Sequence, residues 1–383
     1  MGIRLNIGRS AAARDRGSLP FFPVLNEADL HMGTVTATTM RTIKKLHSEP
    51  GLWMQDDVAV PTYGPNDVLI EITHAGICGT DRHIYEWDPW SQSRIPIGIT
   101  TGHEFVGNIV AVGNECTKFQ IGDRVSGEGH IYCGNCRPCR TGNAHICTEC
   151  KIIGIDRDGC FARYMAFPEK NVWPVHADIP DKVAAVFDPL GNAVHTVMTA
   201  GVSGKNVLIT GVGIIGLMAV TVARAAGASK IFVTDIDSHR LEVAKEIGAD
   251  HAFHATDDWI PQVQDLTDGL GADVLLEMSG NPHGIRQGFA AMAGGGTAAL
   301  LGIPGKPIEI DLAQEIIFKG ATVHGINGRR IFETWYQMEA LLLSGRLQLN
   351  PIITHVLPMD QFERGIEMMQ KGEAIKVVLQ IGE

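Results

Sequence analysis

The sequence predicts an α/β chain with a separate β domain. Residues 40–187 read as a compact, barrel-like β unit, residues 188–330 as a doubly wound parallel sheet, and residues 331–383 as a closing helix and strand. Three observations carry this. Short strand-like runs punctuated by frequent Gly and Pro fill the first span. Strands alternating with helical patterns of about 10–15 residues fill the second, the rhythm of a parallel sheet covered on both faces. Near the seam, the buried-strand run Val207-Leu208-Ile209-Thr210 feeds into Gly211-Val212-Gly213-Ile214-Ile215-Gly216 and then a helix.

Composition bounds the function. At 383 residues, with 45% hydrophobic and 20% charged, the chain has enough apolar residues for two cores. A formal net charge of −11 argues against a nucleic-acid partner, whose phosphates need a basic face. No apolar run approaches the roughly 18 residues of a membrane span, so no membrane partner is expected. Four of the cysteines crowd into residues 133–147. That is metal spacing, and it predicts a reducing, cytoplasmic setting in place of a disulfide scaffold.

Taken in order, residues 1–39 carry Arg4, Arg9, Arg14 and Arg16 but lack the apolar core of a secretory signal. They are expected to be a disordered extension or a start read too early, since Met40 opens a run that looks like a true beginning; a transit peptide is the alternative. Leu69-Ile70-Glu71-Ile72 is a strand after the turn residues Pro65-Asn66-Asp67. Phe105–Val112, Val125 and Arg163–Ala166 read similarly. After Pro189 the strands are Val207–Thr210, Ile231–Thr234, Ala272–Glu277 and Thr297–Leu301, with helices to about Ala226 and from Arg240 to Ile247. A helix over Phe332–Leu343 and the strand Val377-Val378-Leu379 close the chain.

Three motifs carry chemistry. In Cys133-x2-Cys136-x2-Cys139-x7-Cys147, four thiolates can close a tetrahedron around zinc with no open position, the pattern of a structural site. An iron–sulfur cluster competes for such a run, but the fourth cysteine is too distant and no second cluster motif exists. Cys150 would be a fifth ligand and reads as free. In Gly211-x-Gly213-x-x-Gly216, the glycines permit a tight turn and close approach of a pyrophosphate to a helix N-terminus. Asp235 ends the next strand and can accept both ribose hydroxyls while repelling a 2′-phosphate, which favours NAD over NADP. Arg240 either lies over the adenine or is a solvated helix arginine. The third motif is Cys78 with His103-Glu104: thiolate, imidazole and carboxylate, the side-chain types that hold a zinc ion with its fourth position left for substrate. Such an ion would act as a Lewis acid on an alcohol, with hydride passing to nicotinamide. Thr80 and His83 form a plausible proton relay.

Gly102-His103-Glu104-x2-Gly107-x5-Gly113, together with Cys78-Gly79-Thr80-Asp81, resembles the zinc-containing medium-chain alcohol dehydrogenases, from Met40 to the end. The resemblance implies a GroES-like catalytic domain around a Rossmann domain, with 331–383 returning to the former. It implies Cys78, His103 and Glu104 as ligands of a catalytic zinc, a second zinc on the four cysteines, and Thr80 and His83 as a charge-relay pair. Asp188 would stand beside the catalytic ion; lying before Pro189, it could equally cap a helix. The residues lining NAD would include Gly211, Gly213, Ile215, Gly216, Asp235, Arg240, Leu301-Gly302-Ile303 and Ile326-Asn327, where Asn327 stands in place of an aromatic. Trp87, Trp90, His130 and His195 are possible pocket walls. Three longer strings, Cys78–Gln92, Phe187–Thr196 and Phe332–Tyr336, resemble the family members that oxidise the 3-hydroxyl of L-threonine to L-2-amino-3-oxobutanoate. A sorbitol-type polyol or secondary-alcohol dehydrogenase is the alternative. The family is commonly tetrameric, so a homotetramer is expected. Glu104, the least ordinary of the three ligands, is expected to be the exchangeable one.

Overall fold

Residues 36–382 are described, in a computed structural model. The expectation for residues 1–39 lies almost wholly outside them, although Thr39 already opens the first strand. β1 (Thr39–Lys44) and β2 (Trp53–Ala59) form an antiparallel pair. Sequence reasoning missed β2: its run Trp-Met-Gln-Asp-Asp-Val-Ala is mostly exposed, so no alternation of apolar residues marks it. Then follow β3 (Asp67–Gly76), α1 (Gly79–Glu86), α2 (Pro89–Arg94), β4 (Glu104–Val112) and β5 (Arg124–Gly127). The short strands β6 (His130–Ile131) and β7 (Lys151–Ile152) flank the one-turn helix α3 (Arg137–Arg140). β8 (Tyr164–Pro168), β9 (Val172–Pro174) and α4 (Asp181–Ala184) lead to α5 (Phe187–Ala200).

The α/β segment runs β10 (Asn206–Thr210), α6 (Ile214–Ala225), β11 (Lys230–Asp235), α7 (Ser238–Glu246), β12 (His251–His254), α8 (Ile260–Asp265), β13 (Ala272–Glu277), α9 (Pro282–Ala291), β14 (Met292–Leu300) and β15 (Thr322–Gly325). Its six strands are all parallel, in the order β12-β11-β10-β13-β14-β15. Val207, Leu208 and Ile209 of β10 are fully buried, as a strand covered on both faces must be. The strand order reverses between β10 and β13. Beyond the carboxyl ends of strands at such a switch point, open α/β sheets form their ligand crevice.

α10 (Glu333–Leu343), β16 (Ile353–Pro358), α11 (Phe362–Gln370) and β17 (Lys376–Gln380) complete the chain. β17 lies antiparallel on β3, with Val378 opposite Gly76. The second large sheet therefore reads β16-β17-β3-β4-β5-β9, with β8 also pairing with β3. Most of one hydrophobic core lies around β10 and α6, into which α5 and α10 also pack. A second core packs against the second large sheet, which is mixed, and includes Ile70, Ile72, Phe105 and Phe167. Among the described residues no helix is long and apolar enough to cross a membrane.

Candidate active site

Strand pairing assembles the first cluster. β3 delivers Cys78 just past its end, as the N-cap of α1. β4 begins at Glu104, in register with Gly76. Gly102 turns the chain into β4 at φ +86°, and a Cβ there would sit 2.4 Å from the Phe161 ring, so only glycine serves. One donor atom each from Cys78, His103 and Glu104 lies within 4.8 Å of the others.

The donor set fits a cation. Glu104 Oε2 is a buried oxygen with no aligned hydrogen-bond donor, and thiolate, imidazole and carboxylate are the donor types that zinc takes. Burial alone would lower the His103 pKa, yet Cys78, Asp81 and Asp188 carry it up to about 10. Burial raises Glu104 and Asp81 above the ordinary carboxylate range. Asp81 is fully buried; one oxygen accepts from the Cys78 backbone N–H at 2.9 Å and the other lies 4.0 Å from His103 Nδ1. It stands on the Nδ1 side of the imidazole, beyond direct hydrogen-bonding distance, where a carboxylate favours the charged or polarised ring.

The relay residues sit on α1 and just beyond. Thr80 Oγ1 is 3.8 Å from Cys78 Sγ. His83 Nδ1 is 2.7 Å from Asp88 Oδ2, whose other oxygen caps α2 by accepting from the Ser91 N–H. No hydrogen bond joins Thr80 to His83 among the described residues, and the His83 side chain is 57% exposed. Asp188 does not cap a helix. The N-cap of α5 is Val186, and Asp188 lies in the first turn, 2.9 Å from Arg329 Nη1.

Arg329 was not foreseen. It is fully buried and joins Asp188 to Glu128, whose Oε2 accepts from Arg329 Nε at 2.9 Å and from Trp335 Nε1 at 3.0 Å. Burial opposes the charge on Glu128, but Arg329 and His130 hold its carboxyl well below the usual range. His195 is buried with Nδ1 2.8 Å from Gly328 O, beside a smaller 360 Å³ cavity. Of the four possible pocket walls, only Trp90 lines the main cavity.

That cavity, about 780 Å³, is lined by Cys78, Thr80, His83, Glu104, Asp188 and Lys376 together with Gly213, Ile214, Ile215, Gly216 and Ile303. A Cβ on Gly216 would sit 2.1 Å from Gly211 O, so that position serves close helix–strand packing. A Cβ on Gly213 would meet nothing within 4 Å: the N-cap of α6 faces open space, a cradle for a phosphate. Asp235 is fixed at the tip of β11 by N–H groups of Val212 and Asp237, at 2.7 and 3.0 Å. Arg240 points its guanidinium at Asp237, 3.5 Å away. Leu301 and Gly302 both donate to Glu277 O, leaving Ile303 91% exposed at the cavity wall. Ile326 is buried and Asn327 exposed.

Comparison with known proteins agrees with this geometry. The family described as zinc-binding dehydrogenase matches residues 215–344, and the alcohol dehydrogenase GroES-like domain matches residues 64–177. An L-threonine 3-dehydrogenase of Symbiobacterium thermophilum is 47% identical over 345 residues, covering 90% of this chain and 98% of that one. One from Proteus mirabilis is 48% identical, covering 89% and 99%. The chain belongs to the zinc-containing medium-chain alcohol dehydrogenases. Among solved structures, a short chain alcohol dehydrogenase from Escherichia coli CFT073 complexed with NADH superposes with a TM-score of 0.82 at 25% identity, covering 90% of this dehydrogenase and 100% of that chain.

The dehydrogenase carries its four-cysteine loop around α3. Cys133, Cys136, Cys139 and Cys147 converge within 4.8 Å, with Cys136 Sγ 3.4 Å from Cys139 Sγ and 3.8 Å from Cys147 Sγ. Sulfurs on a tetrahedron around zinc stand about 3.8 Å apart, far beyond a disulfide bond. N–H groups of Asn135 and Cys136 point at Cys133 Sγ, and those of Cys133 and Glu149 at Cys147 Sγ. Such donors stabilise thiolates: backbone donors help pull Cys136 down to about 6, while burial and the neighbouring thiols push its partner Cys139 up. Cys150 stands apart, its thiol pushed up by burial to about 11.

Proposed function

We infer that this dehydrogenase oxidises the 3-hydroxyl of L-threonine to L-2-amino-3-oxobutanoate with NAD. The convergence of Cys78, His103 and Glu104, at a cavity that Cys78 and Glu104 line together with the Gly213 helix terminus, carries the proposal. The relatives named L-threonine 3-dehydrogenase supply the substrate. Residues 40–187 and 331–383 are the catalytic part, and 188–330 the nucleotide-binding part.

Each chain is proposed to hold two zinc ions, one on Cys78, His103 and Glu104 and one on the four cysteines. At the first, zinc supplies Lewis acidity that lowers the pKa of the substrate hydroxyl. The protein's own residues do the rest. Thr80 lies next to Cys78, where its hydroxyl can accept the substrate proton as it releases its own. With no direct hydrogen bond to His83, passage onward to that exposed imidazole, oriented by Asp88, runs through a bridging water. Asp188, anchored by Arg329, contributes negative charge at the reacting end. Gly213 admits the pyrophosphate and Asp235 presents its carboxylate to the ribose. The cytoplasmic setting is supported by eight unpaired cysteines. Self-association is supported by β15, an edge strand of the parallel sheet, and by Leu312, Ile317, Phe318 and Val323, all exposed on or just before it in sequence; the homotetramer rests on the family resemblance.

A panel of L-threonine, sorbitol and simple secondary alcohols, read by NADH formation, tests the substrate. L-threonine is expected to give the highest kcat/KM, and a preference for sorbitol would replace the proposal with the polyol reading. The cofactor is tested separately. Wild type is expected to prefer NAD over NADP, and Asp235→Asn to narrow that preference roughly tenfold or more by removing like-charge repulsion. Equal use of both cofactors by the wild type would refute the role of Asp235.

A further inference from the structure

An amino-acid substrate brings a carboxylate into the cavity, and a charge taken out of water needs a partner there. Among the described residues, the only Lys or Arg lining the main cavity is Lys376. It is fully buried, and its Nζ is engaged by Glu104 Oε1 at 2.8 Å and Ile77 O at 2.7 Å. Thr80 and His83 belong to the proton path, and Trp90 is 42% exposed. Asn192 remains. It follows Asp188 by four residues on α5, so the two side chains share a face one turn apart. One nitrogen of Arg329, Nη1, reaches both, at 2.9 Å from Asp188 Oδ1 and 3.2 Å from Asn192 Oδ1. A guanidinium only donates, so the amide turns its oxygen to Arg329. Its NH2 group has no hydrogen-bond partner among the described residues.

We propose that the Asn192 amide N–H binds the carboxylate of the substrate and so selects an α-amino acid over a plain alcohol. The proposal rests on the reading of L-threonine as substrate. The polarity of the amide leaves one choice. With its oxygen held by Arg329, it offers the cavity only donors, which an ammonium cannot use and a carboxylate can. The guanidinium behind the amide also polarises it and strengthens the outward N–H. The placement agrees. Asp188 and Asn192 line the same cavity as Cys78 and Glu104, one helical turn or about 5–6 Å between them. In L-threonine the carbon bearing the carboxylate adjoins the carbon bearing the hydroxyl. A hydroxyl held at the metal cluster therefore keeps the carboxylate within reach of that turn.

The test compares L-threonine with 1-amino-2-propanol, the same molecule without its carboxylate, by NADH formation in purified full-length protein. Asn192→Ala is expected to lower kcat/KM for L-threonine roughly tenfold to a hundredfold, mostly through KM, the size of a lost hydrogen bond to a charged group. The same variant should leave kcat/KM for 1-amino-2-propanol nearly unchanged. Asn192→Asp keeps the shape and the acceptor for Arg329 but turns an anion towards the carboxylate. It is expected to lose at least as much with L-threonine and nothing with the cationic amino alcohol. If the amino alcohol turns over too slowly to rate, its inhibition constant against L-threonine is compared instead. Equal losses with both compounds, or an unchanged kcat/KM for L-threonine, would overturn the proposal. Should Asn192→Ala fail to fold, Asn192→Asp carries the comparison. The wild type separates the two readings. Preference for sorbitol over L-threonine there defeats the substrate reading itself, whereas preference for L-threonine, with variants that lose both compounds alike, defeats only the role of Asn192.

Discussion

Cys78→Ser is expected to abolish turnover, with kcat/KM falling on the order of a thousandfold or more, while the protein stays folded. Losing several kcal/mol of Lewis-acid stabilisation accounts for a change of that size. Zinc content measured by elemental analysis should drop from about two per chain to about one, because the four-cysteine loop is untouched. The two sites draw on separate residues, Cys78, His103 and Glu104 against Cys133, Cys136, Cys139 and Cys147, so metal loss should be confined to one. Retained activity in this variant would overturn the mechanism, and loss of both ions would show that the sites are coupled.

Arg329→Met is expected to destabilise the fold by about 3–5 kcal/mol, read by denaturant unfolding at neutral pH. Removing one partner of a buried ion pair leaves the other charge uncompensated, and here two carboxylates, Glu128 and Asp188, lose the same guanidinium. The pH dependence follows. Glu128 is depressed in the folded state relative to its ordinary value of 4.5, so its stabilising contribution is present above that value and drains away as pH falls below it. Without Arg329, burial raises the carboxyl, and protonating it then favours the folded chain. The stability gap between wild type and variant should therefore narrow as the solution is acidified from pH 7 towards about 3. A gap that is constant or widens would mean that Arg329 does not hold Glu128 charged.

The comparison of sequence with structure shows which kinds of information are local. Cys78, His103 and Glu104 were legible because few side chains bind zinc and the pattern is short. The glycine turn was legible because a strand and a helix flank it, and Ala272–Glu277 was read with the bounds it has in the fold. Strand β14 starts at Met292 instead of Thr297 because its early residues are Ala293-Gly294-Gly295-Gly296, a composition that resembles a loop. Long-range partners were not legible. Lys376 sits 272 residues from Glu104, and the strand it opens continues as an ordinary apolar core run, Val-Val-Leu. Glu128 and Arg329 are 201 residues apart, and each alone reads as a surface charge. Asp81 was visible in its motif, but its place beside His103 depends on how α1 meets β4.

The pairing of β17 with β3 has a consequence for the order in which the molecule folds. The six parallel strands come from one unbroken stretch, residues 206–325, whereas the mixed sheet must recruit its last strand across some 300 residues. Closing so long a loop costs entropy that only late contacts repay, so the contiguous half should consolidate first. During refolding, amide-exchange protection should rise in β10 and β13 before it rises in β3 and β17. The crevice for the dinucleotide would then exist before the metal cluster has its final shape, and Lys376, arriving with the last strand, would be among the last groups to take its place beside Glu104.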